Sequence, residues 1–341
     1  LALVTLLALS TFPAAADVLN LGGTRNPDGS WTGLASLETV HVGNPGNPAD
    51  TTGYGSVAYE YNIGKYEVTA GQYTEFLNAV AGVDTNALYH IMMSSPGFGS
   101  GITRSGGGEL GNPYTYTVDD DFVNRPVNNV SFWDATRFAN WLHNGQPTGN
   151  QNNTTTEDGA YTLTPDGISG NTITRNTGAV WAVTSEDEWY KAAYHKNDGN
   201  TGNYFTYPTR NDTAPGQDMA DASGNNANFY TPPYTYPIDS GKYATLAGEF
   251  QNSESPYNTF DQGGNVWEWS EAVFGGSTRR LWGGSFHEYD IFMRSSYRRD
   301  HPATSRHINI GFRVSQVPEP ASLSLLALGG VGLLLRGRRR R

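Results

Sequence analysis

Two carboxylates, Asp261 and Glu268, flank a glycine pair in the stretch Phe260-Asp261-Gln262-Gly263-Gly264-Asn265-Val266-Trp267-Glu268-Trp269. Glycines reach torsions closed to other residues, so the chain can bend here and present its carbonyls. Carboxylate and carbonyl oxygens on a bent segment are what a calcium ion needs, since it takes roughly six to eight oxygen ligands. The plainer reading is a glycine turn beside two core tryptophans, because Trp267 and Trp269 share a face if the segment is extended. A second group follows: His287, Glu288, His301 and His307. Imidazole and carboxylate can hold a redox metal, for instance as two histidines and one carboxylate. The plainer reading is exposed loop histidines, which lack a diagnostic ligand spacing. A third group is Arg294, Arg298, Arg299 and Arg313. Guanidinium groups pair bidentately with carboxylates. The group therefore reads as an internal salt-bridge network or as a clamp for an anionic ligand such as an acidic sugar.

The composition narrows the chemistry. The chain of 341 residues has no cysteine, so disulfides, thiolate nucleophiles and thiolate-bound metals are excluded. Its net charge is −11, although Arg336, Arg338, Arg339, Arg340 and Arg341 crowd the end. The body is therefore strongly acidic, repels phosphate backbones and disfavours nucleic acid. Neither a phosphate-binding glycine loop nor a serine-hydrolase elbow occurs.

Local patterns place a few elements around these groups. Val57, Tyr59, Tyr61 and Ile63 alternate as in a half-buried strand. Thr69 and Gln72 form a capping box, and Tyr73, Phe76, Leu77 and Val80 give the following helix one apolar face. Ser131 caps a second helix, which buries Phe138, Trp141 and Leu142. Ser185-Glu186-Asp187-Glu188 caps a third, with Trp189, Ala192 and Ala193 inward. Residues 94–124 read as a variable surface loop, and 144–180 as hairpins with polar tips. Residues 197–260 read as almost all loop, and so long a loop needs a fixative.

Several of these segments resemble one family in order. Gly264-Asn265-Val266-Trp267-Glu268-Trp269 resembles the central signature of the formylglycine-generating enzyme (sulfatase-modifying factor) family. Ile63–Thr69, Arg125–Ser131, Ser185–Trp189, Arg280–Phe286 and Ile310–Val314 resemble its other segments. The resemblance implies a loop-rich α+β fold of the C-type-lectin-like, formylglycine-generating type, with few short helices and twisted antiparallel strands. It also implies two structural calcium ions. One aligns with the side chains of Asp261 and Glu268 and the carbonyls of Gly264 and Val266. The other aligns with the Asn228 side chain, the Phe229 carbonyl and, across a loose stretch, Asp239.

The family's oxidation of a substrate cysteine needs two cysteines of its own, which bind copper just after Gly-Gly-Ser-aromatic. That window here is His287-Glu288-Tyr289-Asp290-Ile291-Phe292-Met293. No copper is expected, and the chain does not read as a formylglycine-generating enzyme. In place of the usual Arg-Leu-Pro before the third helix stands Trp181-Ala182-Val183-Thr184. Arg294 and Arg298 match the family's Arg-x-x-x-Arg.

Both ends read as targeting signals. Residues 1–16 are an apolar run ending Ala14-Ala15-Ala16, as in a secretory signal peptide. Residues 17–56 form an N-terminal leader of loops with one or two short strands, ahead of a domain over 57–316. Residues 317–341 hold Pro318-Glu319-Pro320, an apolar run and the arginines. Ala321 to Leu335 would span about 22 Å as a helix, a marginal transmembrane length. The layout resembles the PEP-CTERM sorting signal of Gram-negative bacteria. It implies an exosortase as partner, a transient membrane anchor, and delivery to the cell surface, outer membrane or extracellular matrix. A plain single-span anchor is the alternative. Together these readings give an exported, calcium-stabilised binding module for surface polysaccharide or envelope protein. The alternative is a metal-dependent (non-haem iron) oxidase acting through His287 and Glu288 on an exported substrate.

Overall fold

The computed structural model describes residues 18–21, 24–25, 31–32, 36–221, 223–231 and 241–317. The expected signal peptide, Asp239 and the apolar tail lie outside the described residues.

In chain order the strands and helices are β1 (Val18–Asn20), β2 (Thr24–Arg25), β3 (Trp31–Thr32), β4 (Ser36–Val42), β5 (Tyr61–Gly64), α1 (Ala70–Val80), β6 (Ile102–Ser105), β7 (Thr115–Val118), α2 (Phe132–His143), α3 (Pro165–Gly170), β8 (Trp181–Val183), α4 (Glu186–Tyr194), β9 (Trp267–Phe274), β10 (Thr278–Trp282), β11 (Arg299–Pro302), β12 (Ile310–Phe312) and β13 (Val314–Gln316). One sheet has the order β1-β4-β5-β13-β8 and is antiparallel throughout. The other has the order β11-β10-β9-β12, with β12 parallel to β9. This is the mainly antiparallel, loop-rich α+β fold with few helices that the resemblance implies.

The three capping boxes form as the sequence predicts. Thr69, Ser131 and Ser185 each accept from the backbone N–H three residues on, and Gln72, Asp134 and Glu188 accept in return. Each box satisfies two donors that a helix start otherwise leaves open. The apolar faces of α1 and α2 then meet over the second sheet. Phe138 sits 5.4 Å from Phe76 and 5.4 Å from Phe312 between ring centroids. Emptying such a position, as in Phe138→Ala, costs about 3–5 kcal/mol.

Four expectations change. The strand from Val57 is shorter: only Tyr61–Gly64 pairs, while Val57 is buried as loop and Tyr59 is exposed. Residues 94–124 contain the hairpin β6–β7. Residues 144–180 contain turns and α3, capped by Thr164 with Pro165 in its first turn, in place of hairpins. The expected leader contributes β4, which lies inside the first sheet against β5.

Candidate functional site

The signature stretch bends as its glycines require. Asp261, Gly264 and Asn265 take φ of 60°, 84° and 52°. A Cβ on Gly264 would lie 2.2 Å from the Asn228 carbonyl oxygen, so only glycine fits. Asn228 and Gly264 form a parallel bridge, and the Asn265 N–H donates to the Asn228 carbonyl at 2.8 Å. The two expected calcium sets therefore adjoin.

The Glu268 side is closed by an ion pair. β9 turns Trp267 and Trp269 into the core and Glu268 to the opposite face. Arg313 grips Glu268 with Nε on Oε2 at 3.0 Å and Nη2 on Oε1 at 2.9 Å. Trp189 Nε1 adds a third donor to Oε2 at 2.8 Å. Arg313 also ties the carbonyls of Gly64 and Phe260, at 2.7 and 2.8 Å. Both oxygens that the first calcium set needs from Glu268 are thus engaged.

Beside this pair lie two more acids. Asp261 Oδ2 accepts from the Gly248 N–H at 2.6 Å. Burial pushes the Asp261 carboxyl up to about 6, with Glu268 and Glu249 acting in the same direction. Glu67 is buried, and neither of its carboxylate oxygens has a hydrogen-bond partner. Burial, reinforced by Asp261, raises its carboxyl far above the ordinary range. No local signal marks Glu67, because its environment is assembled by residues about 200 positions away.

The Asn228 side is open in a chemical sense. Asn228 Nδ2 donates to the Tyr243 carbonyl at 2.9 Å and to Asn265 Oδ1 at 3.1 Å, which fixes the amide orientation. Its Oδ1 then points inward, buried and without a partner. An unpartnered buried amide oxygen is a fitting ligand for a hard cation. The Phe229 carbonyl already accepts from Gln217 Nε2. Val266 packs in a small cluster with Ala244 and Phe286.

The histidine region forms a cavity of about 170 Å³ lined by Trp267, His287, Glu288, Arg299, His301 and His307, among others. Glu288 is ion-paired with Arg299. Among the described residues, no three His, Asp or Glu side chains converge as a metal site. His287 and Glu288 therefore share a cavity wall without forming a three-ligand metal centre.

Arg294 and Arg298 do not join the expected salt-bridge network. Both are exposed, and among the described residues neither has an ion pair. Arg294 Nε donates to Tyr207 Oη at 2.8 Å, while Arg298 lies 5.2 Å over the Tyr54 ring. Only Arg299 and Arg313 of the four are paired with carboxylates.

A separate buried network holds the first sheet to α4. Glu188 accepts from Arg175 at both oxygens (2.8 Å each), from the Ser185 N–H at 2.7 Å, from Tyr59 Oη at 2.7 Å and from Ser315 Oγ at 2.8 Å. Arg175 Nε also reaches Glu271 at 2.9 Å. Burial alone would raise the Glu188 carboxyl, but Arg175 and the other donors overcome it and hold it at about 2.

With this geometry the family is defined. The chain belongs to the sulfatase-modifying factor enzyme 1-like domain family, which matches residues 39–317. Residues 316–341 match the PEP-CTERM protein-sorting motif. That motif is a sorting signal recognised by an exosortase and marks the chain for export to the cell envelope of Gram-negative bacteria. Among solved structures, CarF aligns with a TM-score of 0.50 and 20% identity, over 83% of this chain and 99% of that one. Treponema denticola variable protein 1 aligns at 0.46 and 17%, over 89% and 99%. PvdO from Pseudomonas aeruginosa aligns at 0.45 and 18%, over 83% and 95%. At such identities the likeness to CarF speaks to the fold alone. No curated protein matches the chain. Among the described residues, no helix is long and apolar enough to cross a membrane.

Proposed function

We propose that this protein is a non-catalytic binding module of the cell surface or extracellular matrix, steadied by calcium and displaying its loops to surface polysaccharide or envelope protein. The observation that carries the calcium reading is the buried, unpartnered Asn228 Oδ1. Calcium there would be structural, holding the long segment after residue 197 in place of disulfides. Asp239 is the further ligand that the family resemblance suggests. In the set of Asp261, Gly264, Val266 and Glu268, the Glu268 carboxylate already accepts from Arg313 and Trp189. Calcium at that set would share Glu268 with these donors, through the lone pair that Oε1 keeps beside its bond from Arg313. The absence of catalysis is supported by the cysteine-free sequence and by the Glu288–Arg299 pair where the reactive thiolates of the family would be.

The test is binding of the purified protein to exopolysaccharide and to envelope fractions, with calcium and with a chelator. Retention that weakens on chelation is the expected result. Calcium-independent failure to retain any surface polymer or envelope protein sinks the reading.

A further inference from the structure

The cavity beside β9 and β11 contains groups the fold itself leaves unused. Trp267 is 1% exposed, yet its Nε1–H has no hydrogen-bond partner. His301 Nδ1 is likewise buried and unpartnered. A buried indole N–H without an acceptor costs free energy, so such a group in a cavity wall favours a ligand that accepts. Arg299, on the edge strand of the second sheet, brings a guanidinium whose side chain is 45% exposed; it is ion-paired with Glu288 and lies 5.8 Å over the Trp267 ring. The opposite kind of group is present too. Asn309 Nδ2 donates to Ser285 Oγ at 2.9 Å, which leaves Asn309 Oδ1 to accept from His307 Nδ1 at 2.9 Å. In the neutral imidazole a protonated Nδ1 makes Nε2 an acceptor. The cavity thus offers a cation, an indole donor and an imidazole acceptor within about 170 Å³.

We propose that this cavity binds a uronic-acid residue of an acidic polysaccharide, and that Glu288 occupies Arg299 until the ligand carboxylate displaces it. The inference rests on the binding-module reading and names the chemistry of its ligand. A carboxylate satisfies Arg299 bidentately. Sugar hydroxyls both accept from Trp267 Nε1–H and donate to His307 Nε2. A neutral sugar lacks the first contact, and a bare carboxylate lacks the second. Glu288 is an internal competitor, because it presents the same functional group to the same guanidinium.

The experiment is calorimetric titration of the full chain with D-glucuronate, D-glucose and acetate. Glucuronate should bind about tenfold more tightly than either of the others, the scale of one charge-assisted contact. Arg299→Gln should abolish that preference; the residue lies on an exposed edge, so the fold should stand, as an unchanged circular dichroism spectrum would verify. Glu288→Gln should tighten glucuronate several-fold by freeing Arg299. Equal binding of glucose and glucuronate, or weaker glucuronate binding by Glu288→Gln, overturns the proposal. Polysaccharide retention that survives Arg299→Gln also overturns it, yet leaves the binding-module reading intact. Glucuronate binding that follows these rules without retention of any polymer supports the cavity and counts against the module.

Discussion

Glu188 and Glu67 are equally buried, at 0% and 1% exposure, and opposite in every other respect. Glu188 accepts five hydrogen bonds, two of them from a guanidinium, and its carboxyl is held down at about 2. Glu67 accepts none at its side chain and is pushed far up, by burial first and then by Asp261. Burial alone therefore does not decide the state of a carboxyl; the donors brought to it do. The first glutamate organises a junction of α4, β8, β9 and β13. The second is carried beside a junction that Arg313 and Glu268 already make.

The sharpest way to break the comparison is to remove the donor. Arg175→Met should destabilise the protein by about 3–5 kcal/mol in urea unfolding, because it strands Glu188 and Glu271 without their counter-charge. An effect under 1 kcal/mol would mean that the network does not hold the sheet to α4. Arg313→Met should cost a similar amount at Glu268.

Acid should act through the same site. Glu188 has its carboxyl lowered from 4.5 to about 2 on folding. Its contribution, on the order of 3 kcal/mol, is present above the unfolded value and lost as pH falls from about 4.5 toward 2. Denaturant midpoints measured across that window should drop in the native chain. In Glu188→Gln the part of the drop due to this group should vanish.

A smaller effect concerns Asn228, whose buried Oδ1 is also unsatisfied. Calcium at about a hundred times its dissociation constant should stabilise the protein by about 2.7 kcal/mol, read as a rise in melting temperature. Asn228→Leu should remove most of that rise. A rise that persists in full would place the ion elsewhere.

The smallest change is expected at Glu67. Glu67→Gln keeps the shape and deletes an acid that no partner stabilises. Its unfolding free energy should move by no more than about 1 kcal/mol, in either direction. A loss comparable with that of Arg175→Met would show that Glu67 is paired in solution after all, and would erase the contrast.

Much of the fold was readable because its cues are local. Thr69 with Gln72, Ser131 with Asp134 and Ser185 with Glu188 mark their helices within four residues. The bend at Gly264 was equally local, set by glycine chemistry. The β6–β7 hairpin was hidden because its outer face is hydroxylic. Thr103 bonds Thr117 and Ser105 bonds Thr115 across the strands, so no apolar alternation advertises it. Partners far apart in the chain were invisible for a different reason. Nothing near Glu188 announces Arg175, and nothing near Glu268 announces that Arg313 will claim both its oxygens. Asp261 and Glu268 looked like a pair of open ligands because sequence reveals acids but not the guanidinium that reaches them. The tyrosines under Arg294 and Arg298 have no local cue either, since they lie on distant segments.

Strand β13 is threaded between β5 and β8, and the sorting motif begins at residue 316. Ribosomes emit chains from the amino end, so this interior strand of the sheet is among the last parts to arrive. Until it does, β8 has no neighbour in the sheet and Glu268 has no guanidinium. A chain whose last residues are still being made therefore lacks both the β5–β13–β8 ladders and the Arg313–Glu268 pair. A pull on the chain beyond residue 317 would load β13 from between two neighbours, so its ladders with β5 and β8 would have to shear together before the domain gives way.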